Sequence, residues 1–443
     1  MTKRHGYALL AALLAVIVVV SAAIYVGVNG TGGDGKDQFG AGSAGPRNSA
    51  APASAGTWVA TWSASPAGAE PGTEERGMAG RSVRNVVHTS VGGESARITL
   101  SNLYGTQPLT VTHASVAVAV ASNNPAADVG TLRRLTFRGD TSVVIPPGQQ
   151  IVSDAAGLRV PHDADLLVTT FSPAASGPVT YHPHARQISY VADGDRTEDP
   201  SGAAYQEQSP YWRYLSAVDV LSNETEGTVV VIGDSITDGI SSTMGANRRW
   251  TDGLAARLRE EAGAPRYSVV NQGISGNRVL SDGRPGRRGG PGANPSGLSR
   301  FDRDVLSRTG VKAVVIALGV NDVLRDQETD ARRITDGLRE LTRQAHTRGL
   351  RVVGATLMPF GGHRGYSPAR ERVRQSVNAE IRSGKVFDEV ADFDKALRDP
   401  YDPRSLLDRY DSGDHLHPSD EGFRRMAHTF DPSDLRGSAD AEL

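Results

Sequence analysis

The residues in this chain whose types and spacing could do chemistry are a serine, an Asp/His pair, an asparagine and a glycine in separate segments. Ser235 lies in Thr228–Gly239, TVVVIGDSITDG, and Asp414 and His417 lie in Asp411-Ser-Gly-Asp-His-Leu-His-Pro418. Asn321 lies in Gly319-Val-Asn-Asp322, and Gly276 in Asn271-Gln-Gly-Ile-Ser-Gly276. Cleaving an ester by acyl transfer takes a nucleophile, a base, a group that fixes the base's tautomer, and donors for the developing oxyanion. Ser235 Oγ supplies the nucleophile and His417 the base. Asp414, three residues before His417 in a turn, would orient the ring. The oxyanion donors would be the Ser235 N–H, the Gly276 N–H and the side-chain amide of Asn321. The helix after Ser235 would add its positive end. Plainer readings stand beside these. Gly-Asp-Ser alone is a common turn, Asp234 reads as a turn residue rather than an acid, and Gly273 as shaping its turn. His415 is the second choice as base.

Those residues converge only if the elements around them place them at one edge. Thr228–Ile232 is a short β-branched run that reads as a buried strand. Tyr267–Val270, Val311–Leu318 and Leu350–Thr356 read as three more strands, and Lys385–Phe393 holds a fifth. Trp250, Leu254 and Leu258 mark one helix face, and Ile334, Leu338, Leu341 and Ala345 another. Leu298–Arg308, Ser367–Arg382 and Glu421–Phe430 also read as helices. The alternation predicts a parallel sheet covered on both faces. Ser235, Gly273/Gly276 and Asn321 then all lie at carboxyl ends of strands, where ligands gather in such sheets.

From Thr57 to Leu221 the texture is β. Ser82–His88, Ala96–Leu100, Ser115–Val120, Leu132–Phe137, Leu166–Phe171 and Gln187–Val191 are separated by turns such as Gly92-Gly93, Arg138-Gly-Asp140 and Pro146-Pro-Gly148. Even spacing of short strands predicts a sandwich or jelly-roll-like module. Trp58, Trp62 and Trp212 fall here and could stack on sugars, although core packing is the plainer role. Tyr181-His-Pro-His184 could ligate a metal, but without a further ligand it reads as a polar loop.

Lys3-Arg4-His5 precede an uncharged apolar run, Tyr7–Val28, with small residues at Ser21-Ala22-Ala23. The run is either a cleaved signal peptide or an uncleaved anchor, and both place the remainder outside the cell. Gly30–Gly56 is a Gly/Ser/Ala/Pro-rich spacer. Its Gly30-Thr-Gly-Gly-Asp-Gly35 matches GxGxxG and Gly35-Lys36 resembles the end of a phosphate loop, but no strand precedes it, no helix follows, and position 37 is Asp rather than Ser or Thr. The 443 residues carry 48 basic and 50 acidic side chains, so the balance implies no nucleic-acid partner. With no cysteine there are no disulfides, thiolate metal sites or Cys nucleophile. Arg278 and the arginines of the Asp282–Gly297 loop read as solvated.

GDSITDG at Gly233–Gly239, GISGN at Gly273–Asn277, GVND at Gly319–Asp322 and DHLHP at Asp414–Pro418 resemble the four blocks of the SGNH, or GDSL, hydrolase superfamily. They stand in that family's order. The resemblance implies Ser235, Asp414 and His417 as triad and Ser235, Gly276 and Asn321 as oxyanion hole, with no cofactor and no metal. Arg300–Leu306, Asp392–Asp399 and Ser101–Gly105 are similar to secreted bacterial members with an N-terminal β module. The implied fold is a flavodoxin-like three-layer α/β/α domain with a parallel sheet, preceded by an all-β sandwich or jelly-roll-like domain. The expected division is a signal peptide or anchor at 1–29, a linker at 30–56, the β domain at 57–222, the hydrolase domain at 226–436 and a tail at 437–443. Family members act on acyl esters, so the expected partner is an acylated carbohydrate, lipid or small molecule, with membrane contact only through residues 7–28. One alternative is a metal-dependent phosphoesterase, although no Asp here has a His two residues later and no HExxH, EF-hand or GxSxG is present. The other is a tethered carbohydrate-binding protein without activity.

Overall fold

A computed structural model of the protein describes residues 56–283 and 293–438. The apolar N-terminal run, the linker up to residue 55, the 284–292 arginines and the last residues of the tail lie outside the described residues. Among the described residues no helix is long and apolar enough to cross a membrane.

The region from Thr57 to Ser222 is antiparallel sheet. A five-stranded sheet contains Thr57–Ser63, Leu215–Ser222, Gly93–Ser101 and Ala156–Val160 in that spatial order, with Gln150–Val152 also on Gly93–Ser101. A six-stranded sheet has Arg81–His88 and Asp165–Ser172 at its centre. Alternate side chains on these central strands point to opposite faces. Val83 and Val87 meet Ile98, Leu100, Leu166 and Val168 in one core, while Val86 and Leu167 pack with Tyr190 and Tyr205 on the other side. Of the expected strand Leu132–Phe137, only Arg133–Arg134 pairs in a sheet. The chain turns back at Arg138 and Gly139, both at positive φ, and Phe137 pairs with Asp140 across that turn. Trp62 and Trp212 are core residues, 7% and 6% exposed, with rings edge to face at 4.9 Å. They offer no platform for a sugar.

The second half is built on five parallel strands: β1 (Gly227–Gly233), β2 (Tyr267–Gly273), β3 (Val311–Ala317), β4 (Arg351–Ala355) and β5 (Glu389–Ala391). Their spatial order is 2-1-3-4-5, the flavodoxin-like order, with its switch point beside β1. Among the described residues eight helices go with them: α1 (Ser235–Asp238), α2 (Trp250–Glu260), α3 (Gly297–Phe301), α4 (Val320–Leu324), α5 (Ala331–His346), α6 (Pro368–Arg382), α7 (Phe393–Leu397) and α8 (Asp420–Ala427). The predicted faces are the buried ones. Trp250 and Leu254 of α2 and Ile334, Leu338, Leu341 and Ala345 of α5 are fully buried against the sheet's valines and isoleucines. Ser367 caps α6 through its side chain on the Arg370 N–H, with Pro368 at the first helical position. The helix expected over Leu298–Arg308 is instead α3 followed by a π turn, Asp302–Leu306.

The described residues belong to one compact unit. The Thr57–Ser63 strand enters the second region's core through Ala60, whose N–H reaches Thr228 Oγ1 at 3.2 Å.

Candidate active site

Ser235 begins α1 directly after β1. Two glycine positions explain how the chain makes this corner. A Cβ on Gly233 would fall 2.1 Å from Thr237 Oγ1, so only glycine lets the turn fold back on its strand. Gly239, at φ 94°, ends α1 after one turn. The helix face marked by Trp250, Leu254 and Leu258 belongs to α2, so the helix dipole acting at Ser235 is that of the single turn α1.

Ser235 Oγ lies 2.8 Å from His417 Nε2, and His417 Nδ1 lies 2.5 Å from Asp414 Oδ2. A carboxylate only accepts, so Nδ1 carries the proton and Nε2 is left to accept from the serine. Asp414 is itself fixed, its Oδ1 receiving the N–H groups of Leu416 and His417 at 3.0 and 2.8 Å. Burial works against its charge, but these bonds and His417 hold its carboxyl below the usual range. His415, the second choice as base, turns away at φ 61° and pairs with Asp411 at 2.6 Å. Ser235, His417 and Asp414 are thus brought together in one line, and His415 is outside it.

Gly276 and Asn321 come from the ends of β2 and β3, on either side of β1. Gly276 has φ 78°, a left-handed turn that favours glycine. The Asn321 side chain is held at both ends. Its Nδ2 donates to the Asn277 carbonyl at 3.1 Å, and its Oδ1 accepts from Arg325 Nε at 2.9 Å. One N–H of that amide remains for a ligand. Asp322 receives the N–H groups of Val279 and Leu280 at 2.9 and 3.1 Å, so GVND fastens the loop that carries Gly276. Burial raises the Asp322 carboxyl to about 6, against those two bonds.

Asp234 is the turn residue expected, capping α1 through the Ile236 N–H at 3.0 Å. It is also fully enclosed, and burial lifts its carboxyl to about 7, against the Ile236 bond and with Asp322 and Asp238 adding repulsion. A folded-state value above the ordinary 3.8 means that the folded chain keeps a proton the unfolded chain has released. Stability therefore falls as pH rises from about 4 to about 7. Asp234→Asn keeps the capping oxygen and removes the titration. The Tm of this variant relative to the parent is expected to climb between about pH 5 and pH 8; a flat difference in scanning calorimetry would refute the assignment.

Several residues that hold the site were not singled out by spacing. Arg300 is completely buried beneath the strand ends. It donates to the carbonyls of Gly233 and Gln272 at 3.1 and 2.7 Å, to Asn277 Oδ1 at 3.0 Å and to Ser65 Oγ at 2.8 Å. Burial draws its guanidinium down to about 10, opposed by Asp304. Asp304, four residues on, was the available signal. Arg278, expected to be solvated, pairs with Asp326 at 3.0 Å and is 12% exposed. His182 of the Tyr181-His-Pro-His184 loop is buried against Asp238 rather than in a polar loop, and among the described residues no group of three or more His, Asp or Glu could hold a metal ion.

Comparison with known proteins gives one sequence family and a set of solved structures. Residues 231–425 match the GDSL-like Lipase/Acylhydrolase family. Similar structures include a putative lipolytic protein of the G-D-S-L family from Desulfitobacterium hafniense, at 21% identity and TM-score 0.35, covering 46% of this chain and 97% of that one. Est24, a carbohydrate acetylesterase from Sinorhizobium meliloti, has 20% identity and TM-score 0.36, over 46% and 95% of the two chains. Axe2, an acetylxylan esterase from Geobacillus stearothermophilus, has 19% identity and TM-score 0.35, over 46% and 92%. No curated protein matches.

Proposed function

We infer, from the premise that residues 231–425 are a GDSL-like lipase/acylhydrolase domain, that the protein is an exported serine esterase working through an acyl-enzyme. The observation that carries this reading is the Ser235–His417–Asp414 line, with its 2.8 and 2.5 Å steps. Ser235 Oγ attacks the ester carbonyl while His417 Nε2 takes its proton. Asp414 keeps the ring in the required tautomer and stabilises its charged form. The tetrahedral oxyanion receives the N–H groups of Ser235 and Gly276 and the free N–H of Asn321. His417 then protonates the departing alcohol. A water, deprotonated by the same nitrogen, releases the acid and restores Ser235.

The groups around the triad favour short acyl or acetyl esters on carbohydrates or small molecules. Arg325 and Arg364 are exposed and His363 half-buried near His417 and Asp414, a polar surround ill-suited to a long alkyl chain. A fluorophosphonate should label Ser235, located by peptide mapping. Acetylated xylan and an acetyl-to-long-chain ester series should then show highest kcat/KM for the shortest acyl groups. An unlabelled Ser235 would sink the mechanism, and a preference for long chains would sink the substrate assignment.

Export rests on Lys3-Arg4-His5 and the apolar run to Val28. N-terminal sequencing of protein from outside the cell should begin near Ile24, or full-length protein should sediment with membranes. Full-length protein in the soluble cytosol would contradict export.

A further inference from the structure

The turn Ile274–Asn277, which carries Gly276, is held from outside its own sheet. Ser275 donates its N–H to Asp238 Oδ2 at 3.0 Å and its hydroxyl to the same oxygen at 2.5 Å. Asp238, the last residue of α1, accepts on its other oxygen from His182 Nε2 at 2.9 Å. His182 belongs to the strand-rich region, and its Nδ1 reaches the Ser65 carbonyl at 2.9 Å. The ring nitrogens lie against one acceptor in each segment, and the tautomer with its proton on Nε2 is the one that donates to Asp238. His182 is 3% and Asp238 4% exposed, and the ring lies 5.4 Å from that of Trp212. Burial disfavours the Asp238 charge, yet His182, His184 and Ser275 hold the carboxyl below its ordinary range.

A second tie reaches the same turn. Asn294 takes its own position from the strand-rich region, its N–H donating to the Ala67 carbonyl at 2.8 Å. Its side chain donates to the Ser275 carbonyl at 3.1 Å and accepts from Asn277 Nδ2 at 2.7 Å. The peptide groups on both sides of Ser275 are thereby fixed by contacts that originate in residues 65–67 and 182. A peptide N–H aimed at an oxyanion is useful only if it is held before the charge develops.

We propose that the strand-rich region is part of the catalytic apparatus, and that His182 is a positioning residue that aims the Gly276 N–H through Asp238 and Ser275. The proposal rests on the esterase reading above. It gives the N-terminal module a role in the chemistry rather than in carbohydrate attachment.

Removing an oxyanion donor costs on the order of 10²–10³ in kcat, and displacing one should cost less. His182→Ala is expected to lower kcat about tenfold to hundredfold with KM changed less than about threefold. Fluorophosphonate labelling of Ser235 should slow in parallel, because it passes through the same oxyanion. His182→Gln, whose amide can still donate to Asp238, should recover most of the loss. Thr309→Val serves as control: it removes a 2.7 Å bond to Asp219 between the same two regions, at the far end of β3. It should lower Tm without lowering kcat.

If His182→Ala does not fold, Ser275→Ala carries the test, with an expected several-fold fall in kcat at constant KM. Unchanged kcat and labelling rate in whichever variant folds, or a loss confined to KM, would overturn the proposal while leaving the esterase reading intact. Failure of the unsubstituted protein to label at Ser235 would remove both.

Discussion

Replacing Ser235 with alanine should leave a folded protein whose kcat on acyl esters is lower by on the order of 10⁴–10⁶. The size follows from what the hydroxyl does. Its hydrogen bond is to His417 Nε2, so its loss removes the attacking atom and idles the base together. The corner itself survives, because Asp234 still caps α1 and alanine suits a helical position. Stability should therefore change by no more than about 1 kcal/mol. Adding His417→Ala to Ser235→Ala should cost little more, since the triad acts as a unit. Asn321→Ala, with the triad intact, should cost about 10²–10³. Steady-state kinetics on an aryl acetate, with active-site titration, reads all of these. A Ser235→Ala enzyme retaining more than about a hundredth of parental kcat would mean that another group attacks.

The largest stability effect should come from Arg300→Met. The arginine satisfies two strand-end carbonyls, Asn277 Oδ1 and Ser65 Oγ from a fully buried position. Methionine fills comparable volume but donates nothing, which strands several acceptors that cost about 1–3 kcal/mol each when unpaired. Asp304 keeps Arg303, at 2.6 and 2.7 Å, so its charge is not left alone. The net loss should be about 3–5 kcal/mol by denaturant unfolding. Arg300→Lys should fall between, because one ammonium cannot span acceptors on β1, β2 and the Asn277 loop at once. Parental stability in Arg300→Met would show that these carbonyls find other partners.

The sequence made the parallel sheet and the triad legible for a physical reason. β-branched runs ending in Gly-Asp-Ser or Gly-Val-Asn state both the strand and what stands at its end, and apolar spacing on α2 and α5 states which face is buried. The four blocks are local, and each carries its own functional group. What held them together was not legible, because Arg300 and His182 act on partners remote in sequence. The Arg300–Ser65 bond joins residues 235 apart, and the His182–Asp238 bond joins residues 56 apart. A buried arginine looks like any other arginine until its acceptors are placed around it.

The Ser235–His417 bond spans 182 residues, and the strand-rich region closes on the Gln272 carbonyl and Arg300 across spans of 207 and 235. Contacts this distant in sequence form late, because the entropy of closing a loop is lost before the contact returns anything. A chain emerging from its N-terminus therefore presents Ser235 with β1 well before the segment bearing its base exists. Until that segment docks, the serine is an ordinary alcohol. The order of the blocks along the chain therefore leaves Ser235 without its base until the segment bearing His417 has been made and has docked.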